Sequence, residues 1–168
     1  MAGPQTQGLE RGRFDDTPAK VLIVVAPYYR TIADALLSGA RAEIEAWGAT
    51  YETIEVPGAL EIPTAVAIAA RLGEFHAFVA LGCLIRGETS HYDTVAGESS
   101  HGLTLLGLQG QCIGNGILTV ENEEQARVRA EDQDKGGGAA AAALHLLRLS
   151  RRFARPEKSL GFRLGAKE

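Results

Sequence analysis

The chain has 168 residues, 45% of them hydrophobic and 23% charged, enough for one globular domain with its own core and too few for two. A net charge of −4 supplies no general basic field, which argues against nucleic acid as a partner of the body of the chain. Cys83 and Cys112, the two cysteines, form neither a disulfide framework nor a four-ligand zinc cage, and no apolar run approaches the roughly 20 residues that span a bilayer. The expectation is a protein of the reducing cytoplasm, off the membrane.

Residues 1–18 mix Gly, Pro, Gln and charge with almost nothing to bury and lack the apolar stretch of a signal peptide, which predicts a mobile arm before a domain over 19–154. Val21 to Val25 is a continuous β-branched run ended by Ala26-Pro27, the pattern of a strand buried on both faces. From Thr31 to Trp47, Ile32, Leu36, Leu37, Ala40 and Ile44 recur at helical spacing, and Gly48 supplies the stop. Thr50 to Val56 is a second strand closed by Pro57-Gly58, Glu61 to Leu72 a helix with Pro63 in its first turn, and Phe75 to Leu81 a third strand. A helix is predicted from His91 towards Leu108, although Gly97, Gly102 and Gly107 weaken it and the leucines at 103–108 also suit a strand. Cys112 to Val120 is the fourth strand. Asn122 with Gln125 forms a capping-box pattern for the next helix, which Asp134 to Gly138 interrupt. A last helix is predicted from Ala139 to about Phe153, opening on five alanines and closing on Arg148, Arg151 and Arg152, with a basic tail over 155–168. Four strands alternating with helices predict a three-layer αβα domain of flavodoxin-like topology, its parallel sheet in the order 2-1-3-4.

In that order the connections of strands 1 and 3 leave on opposite faces, so the functional crevice is expected between the loops after Ala26 and Gly82. Position alone therefore nominates Tyr28 and the stretch from Cys83 to His91. A strand running into a helix N-terminus leaves backbone N–H groups and the positive end of the dipole facing outward, a seat for phosphate to which Thr89 and Ser90 add hydroxyls. His91 at the mouth could move protons; the alternative is a helix capped by Ser90 with His91 as a surface residue. A metal site is disfavoured because His101, ten residues on, falls on another helical face. Cys83 reads more readily as a core filler than a nucleophile. Tyr28 suits either stacking on a flat ring or closing over the core. Arg129 and Lys135 are surface cations unless the fold brings them to the phosphate seat. The turn from Ala26 to Arg30 has no Ser/Thr/Gly phosphate loop and strand 1 ends without an acidic pair, which argues against an electron carrier or phosphoacceptor domain.

Taken together, Pro57-Gly58-Ala59-Leu60-Glu61-Ile62-Pro63, the run from Ala80 to Asp93 (ALGCLIRGETSHYD), Gly116-Ile117-Leu118-Thr119 and Glu124-Gln125-Ala126 with Arg129 and Lys135-Gly136 closely resemble the 6,7-dimethyl-8-ribityllumazine synthase family over about residues 20–153. The resemblance implies a transferase of riboflavin biosynthesis. Its reaction condenses 5-amino-6-(D-ribitylamino)uracil with 3,4-dihydroxy-2-butanone 4-phosphate, releasing phosphate and water, with no metal or organic cofactor. It further implies that Tyr28 stacks on the uracil ring, with Asn115 at the place of a ring contact. Ala59, Leu60 and Glu61, with Cys83, Leu84 and Ile85, hold the ribityl chain and ring edge. Glu88 and Thr89 offer the phosphate seat, His91 transfers protons, and Arg129 and Lys135 reach the phosphate across a subunit boundary in a homopentamer. Three positions depart from the family's usual pattern. Tyr28-Tyr29 replaces a common Phe-Asn, Asn115 stands where many members have Phe, and the linker at 131–134 is shorter than in shell-forming members. The last difference predicts an isolated pentamer. The alternative reading is a flavin- or lumazine-binding protein on the same scaffold with weak catalysis.

Overall fold

The computed structural model describes residues 10–154. Its four strands are β1 (Lys20–Val25), β2 (Thr50–Glu55), β3 (Ala77–Ile85) and β4 (Ile113–Val120), and its five helices are α1 (Arg30–Ala46), α2 (Glu61–Leu72), α3 (His91–Leu108), α4 (Glu123–Ala130) and α5 (Lys135–Phe153). All strand pairs are parallel and the order is β2-β1-β3-β4, as the alternation of elements predicts. Successive side chains of a strand point to opposite faces, so β1 divides its run between two cores. Val21, Ile23 and Val25 pack with Leu36 and Ile44 of α1 and Leu144 of α5; Leu22 and Val24 pack with Ile62 and Val66 of α2 and Leu103 of α3. Each such side chain contributes about 1.5–3 kcal/mol of burial. The layers are therefore α1, α4 and α5 on one face and α2 and α3 on the other.

The leucines at 103–108 are helical and close α3, as the helix predicted from His91 requires. Two boundaries differ from the sequence expectation. β3 runs on to Ile85, because Cys83, Leu84 and Ile85 find register partners in Leu118, Thr119 and Val120. α5 begins at Lys135 rather than Ala139: the Asp134 carboxylate accepts the Gly137 N–H at 2.9 Å, and the glycines expected to break the helix form its first turn. Two of them, Gly136 and Gly137, are there for space, whereas a Cβ at Gly138 would meet nothing. A Cβ at Gly136 would collide with the carbonyl oxygen of Leu36 on α1. In an open helix Gly→Ala stabilises by about 1 kcal/mol; here Gly136→Ala is expected to destabilise by about 1–3 kcal/mol through overpacking. Denaturant midpoints decide the sign, and a raised midpoint would refute the close contact between α1 and α5.

Residues 10–18, expected as part of a mobile arm, lie against the body. Phe14 is buried and stacks on Trp47 with centroids 5.7 Å apart, and the Arg11 guanidinium donates two hydrogen bonds to Glu43. Arg151 of α5 donates to the carbonyl oxygens of Thr17 and Pro18. The reason is one aromatic in an otherwise polar segment. The rest of the predicted arm, 1–9, and the predicted basic tail, 155–168, lie outside the described residues.

Candidate active site

At the carboxyl ends of β1 and β3 the chain leaves for opposite layers, and the resulting crevice encloses about 470 Å3. One wall is Ala26, Tyr28 and Tyr29, a second Pro57 to Glu61, and a third Cys83, Leu84 and Ile85; Gly87, Thr89, His91, Tyr92 and Val95 close it. Of the residues singled out from the sequence, Tyr28, Ala59, Leu60, Glu61, Cys83, Leu84, Ile85, Thr89 and His91 are thus brought together. Ser90, Glu88, Asn115, Arg129 and Lys135 are not among the lining residues. Glu88 is exposed beside Thr89 without facing the cavity. Asn115 pairs with Ala80 near the amino end of β4, well short of the carboxyl ends of the strands, where its side chain accepts the Ile117 N–H at 3.0 Å and lines a separate groove with α3 and α5 residues. Arg129 lies on α4, in the opposite layer from α3, and donates to the Gln125 carbonyl oxygen at 3.1 Å. Lys135 opens α5 beside the middle of α1.

The three helices that start at the crevice share a local feature. Tyr29, Leu60 and Ser90 stand at the N-caps of α1, α2 and α3, and none gives its helix a side-chain hydrogen bond. By contrast Asn122 and Asp134, which cap α4 and α5, each accept a backbone N–H. A crevice ringed by helix starts without side-chain caps keeps backbone donors and positive dipole ends available to an anionic ligand. The reading in which Ser90 serves only as a cap loses its hydrogen bond. What does form is a longer contact, the His91 N–H to Thr89 Oγ1 at 3.3 Å, which turns the Thr89 side chain into the same bend.

Tyr28 is 78% exposed at the rim and meets Tyr29 edge-on, with centroids 5.1 Å apart, so its face is open to a ring from outside. Tyr29 and Tyr92 also line the cavity without being nominated by the sequence, although each stands next to a residue that is. Partial burial raises the Tyr29 phenol pKa, with smaller contributions from Tyr28, Cys83 and Glu123. The Cys83 thiol is 7% exposed and pushed up to about 11 by desolvation. At neutral pH it is a protonated wall atom, in keeping with the core-filler reading. Among the described residues no group of three or more His, Cys, Asp or Glu side chains is placed to hold a metal ion, and no helix is long and apolar enough to cross a membrane.

The profile of the 6,7-dimethyl-8-ribityllumazine synthase family matches residues 18–151. Several curated proteins of that name are similar along most of their length. The one from Jannaschia sp. (strain CCS1) is 54% identical over 165 residues, covering 97% of this chain and 92% of its own. That of Azorhizobium caulinodans is 58% identical over 160 residues, 90% of this chain and 98% of its own. That of Sphingopyxis alaskensis is 55% identical over 137 residues, 80% of this chain and 97% of its own.

Proposed function

The chain belongs to the 6,7-dimethyl-8-ribityllumazine synthase family, and from that premise we propose how its residues divide the work of a lumazine synthase in riboflavin biosynthesis. The primary amine of 5-amino-6-(D-ribitylamino)uracil attacks the ketone of 3,4-dihydroxy-2-butanone 4-phosphate, and loss of water leaves a Schiff base. Phosphate is eliminated, and the ribityl-bearing nitrogen then closes the second ring with loss of another water. Each step moves protons, and one expels an anion. A proton carrier and an anion cradle are what the protein must supply.

His91, exposed in the first turn of α3 and lining the crevice, is the proton carrier. Thr89, with the α3 backbone donors that Ser90 leaves uncapped, seats the phosphate, and Glu88 stands beside that seat. Tyr28 offers its open face to the pyrimidine, and Ala59 to Glu61 with Cys83 to Ile85 bound the ribityl chain and ring edge. The observation that carries this reading is the meeting of Tyr28, Thr89 and His91 around one cavity of about 470 Å3 with helix starts lacking side-chain caps. Incubation of both substrates with the protein is expected to produce the green fluorescence of the lumazine. Folded protein that binds the pyrimidine yet yields no product would leave the weakly catalytic flavin- or lumazine-binding alternative.

Asn115, Arg129 and Lys135 lie apart from the cavity of their own chain, and in our reading they complete the cavity of a neighbour. That arrangement needs a closed ring, the homopentamer of the family resemblance, with each site shared between adjacent copies. The short 131–134 linker, which sets the angle between α4 and α5, favours a pentamer that does not assemble further. Light scattering is expected to give a mass near five chains; a megadalton particle would refute the linker argument, and a fully active monomer the shared site. Two free buried cysteines suit a reducing compartment, and we place the enzyme in the cytoplasm.

A further inference from the structure

The first turn of α3 carries His91 and Tyr92, yet little holds it from the N-terminal side. Ser90 makes no capping hydrogen bond, and the side-chain contact across the bend is the long one from the His91 N–H to Thr89 Oγ1 at 3.3 Å. The connection from β3 is the exposed run Gly87-Glu88-Thr89-Ser90, and the space around Gly87 is open to 4 Å. A proton carrier displaced by about 1 Å can lose on the order of 10²-fold in rate, so something else must locate this turn.

We propose that Arg86 is a positioning residue that fixes the first turn of α3 against the corner between β4 and α4. Arg86 does not line the crevice. Its backbone N–H donates to the Val120 carbonyl oxygen at 2.9 Å, which ties its own Cα to the end of the sheet. From that anchor the guanidinium reaches in three directions. Nη1 meets Asp93 Oδ1 at 3.1 Å, within the first turn of α3. Nε donates to the Glu121 carboxylate at 3.2 Å, in the bend before Asn122. The guanidinium carbon stands 4.3 Å from the centroid of the Tyr92 ring. Asp93 and Tyr92 are the two residues that follow His91, so the contacts grip the turn directly beside the imidazole.

An isolated exposed ion pair contributes about 0–1 kcal/mol, but a fork shared by two carboxylates and a ring is a network with a defined geometry. Lysine cannot reproduce it. An ammonium can meet one carboxylate at a time, without the planar fork or a flat face for Tyr92. Glu121 is in turn held in place, because its N–H donates to the Gln125 side chain at 3.0 Å within the capped start of α4. The grip on His91 is therefore referred to a rigid corner of the sheet.

The inference rests on the lumazine synthase reading, and steady-state kinetics of wild type, Arg86→Ala and Arg86→Lys, with melting curves of all three, test the two separately. Wild-type protein without product formation defeats the reading of function and the positioning role with it. With active wild type, Arg86→Ala is expected to lower kcat about tenfold while leaving the KM for the pyrimidine within about twofold, since the turn is displaced but the cavity walls remain. Arg86→Lys is expected to fall between the two with a wild-type melting curve, and it decides the matter if the alanine variant does not fold. Wild-type kcat in Arg86→Lys when Arg86→Ala is unfolded, wild-type kcat in Arg86→Ala, or a raised KM at constant kcat in either variant overturns the proposal.

Discussion

Replacing His91 with alanine is expected to slow the condensation by about 10²-fold at saturating substrates, the low end of what general acid–base catalysis contributes. The low end is appropriate because the attacking group is already a reactive amine and part of the proton traffic can pass through water. Binding of the pyrimidine should change little: in the proposed division of roles the crevice walls hold the ring, and His91 stands at the mouth, where its backbone N–H makes the contact to Thr89. Removing the imidazole leaves that backbone contact intact, so the phosphate seat survives. The measurement is kcat with both substrates saturating, alongside direct titration of the pyrimidine. Equal kcat in mutant and wild type would show that the proton travels by another route.

For Arg129→Ala the expected result is a rise of about ten- to a hundredfold in the KM for the butanone phosphate with pyrimidine binding spared, since one charge-assisted phosphate contact is worth roughly 1.5–3 kcal/mol. Inorganic phosphate should compete less well with the variant. The prediction is sharper than an ordinary loss of charge because Arg129 lies in the opposite layer from α3 of its own chain, bonded through Nη1 to the Gln125 carbonyl oxygen. Its effect on the phosphate must come from a neighbouring copy. At butanone phosphate concentrations well below the KM of the Arg129 variant, co-refolding His91→Ala with Arg129→Ala should therefore give mixed rings more active than either parent, because some sites draw His91 from one chain and Arg129 from the other. A mixture no better than the sum of its parts, or a KM rise confined to the pyrimidine, removes Arg129 from the phosphate site.

The parts of this molecule that were legible in the chain are those whose cause is local. Val21 to Val25 is a buried strand because β-branched residues in an unbroken apolar run have few other ways to be satisfied. Asn122 starts α4 because its side chain accepts the Gln125 N–H, three residues away. The crevice followed from the strand order, which nominates Tyr28, Thr89 and His91 by position alone, and the resemblance carried by residues 80–93 added roles to them. Tyr29 and Tyr92 escaped notice for the opposite reason. Nothing in a single sequence separates an aromatic that faces a cavity from one that faces the core, and the two tyrosines differ from other apolar residues only by where their elements point.

What the sequence determined by itself was the number, kind and order of the elements, the end of the sheet at which the crevice opens, and the residue types available there. Tertiary structure alone decided the rest. β3 extends to Ile85 because β4 runs alongside, and Gly136 sits inside a helix because the Leu36 carbonyl leaves no room for a Cβ. Arg86 gathers Asp93 from seven residues on and Glu121 from thirty-five, a pairing that only the parallel neighbours β3 and β4 can create. Arg129 and Lys135 belong to the same family resemblance as the crevice residues and Asn115 departs from it, yet all three lie away from the crevice of their own chain. Periodicity and capping act over a turn of helix or a pair of strand residues, whereas close approach, register and the placement of a charge depend on segments that meet only after the chain has folded.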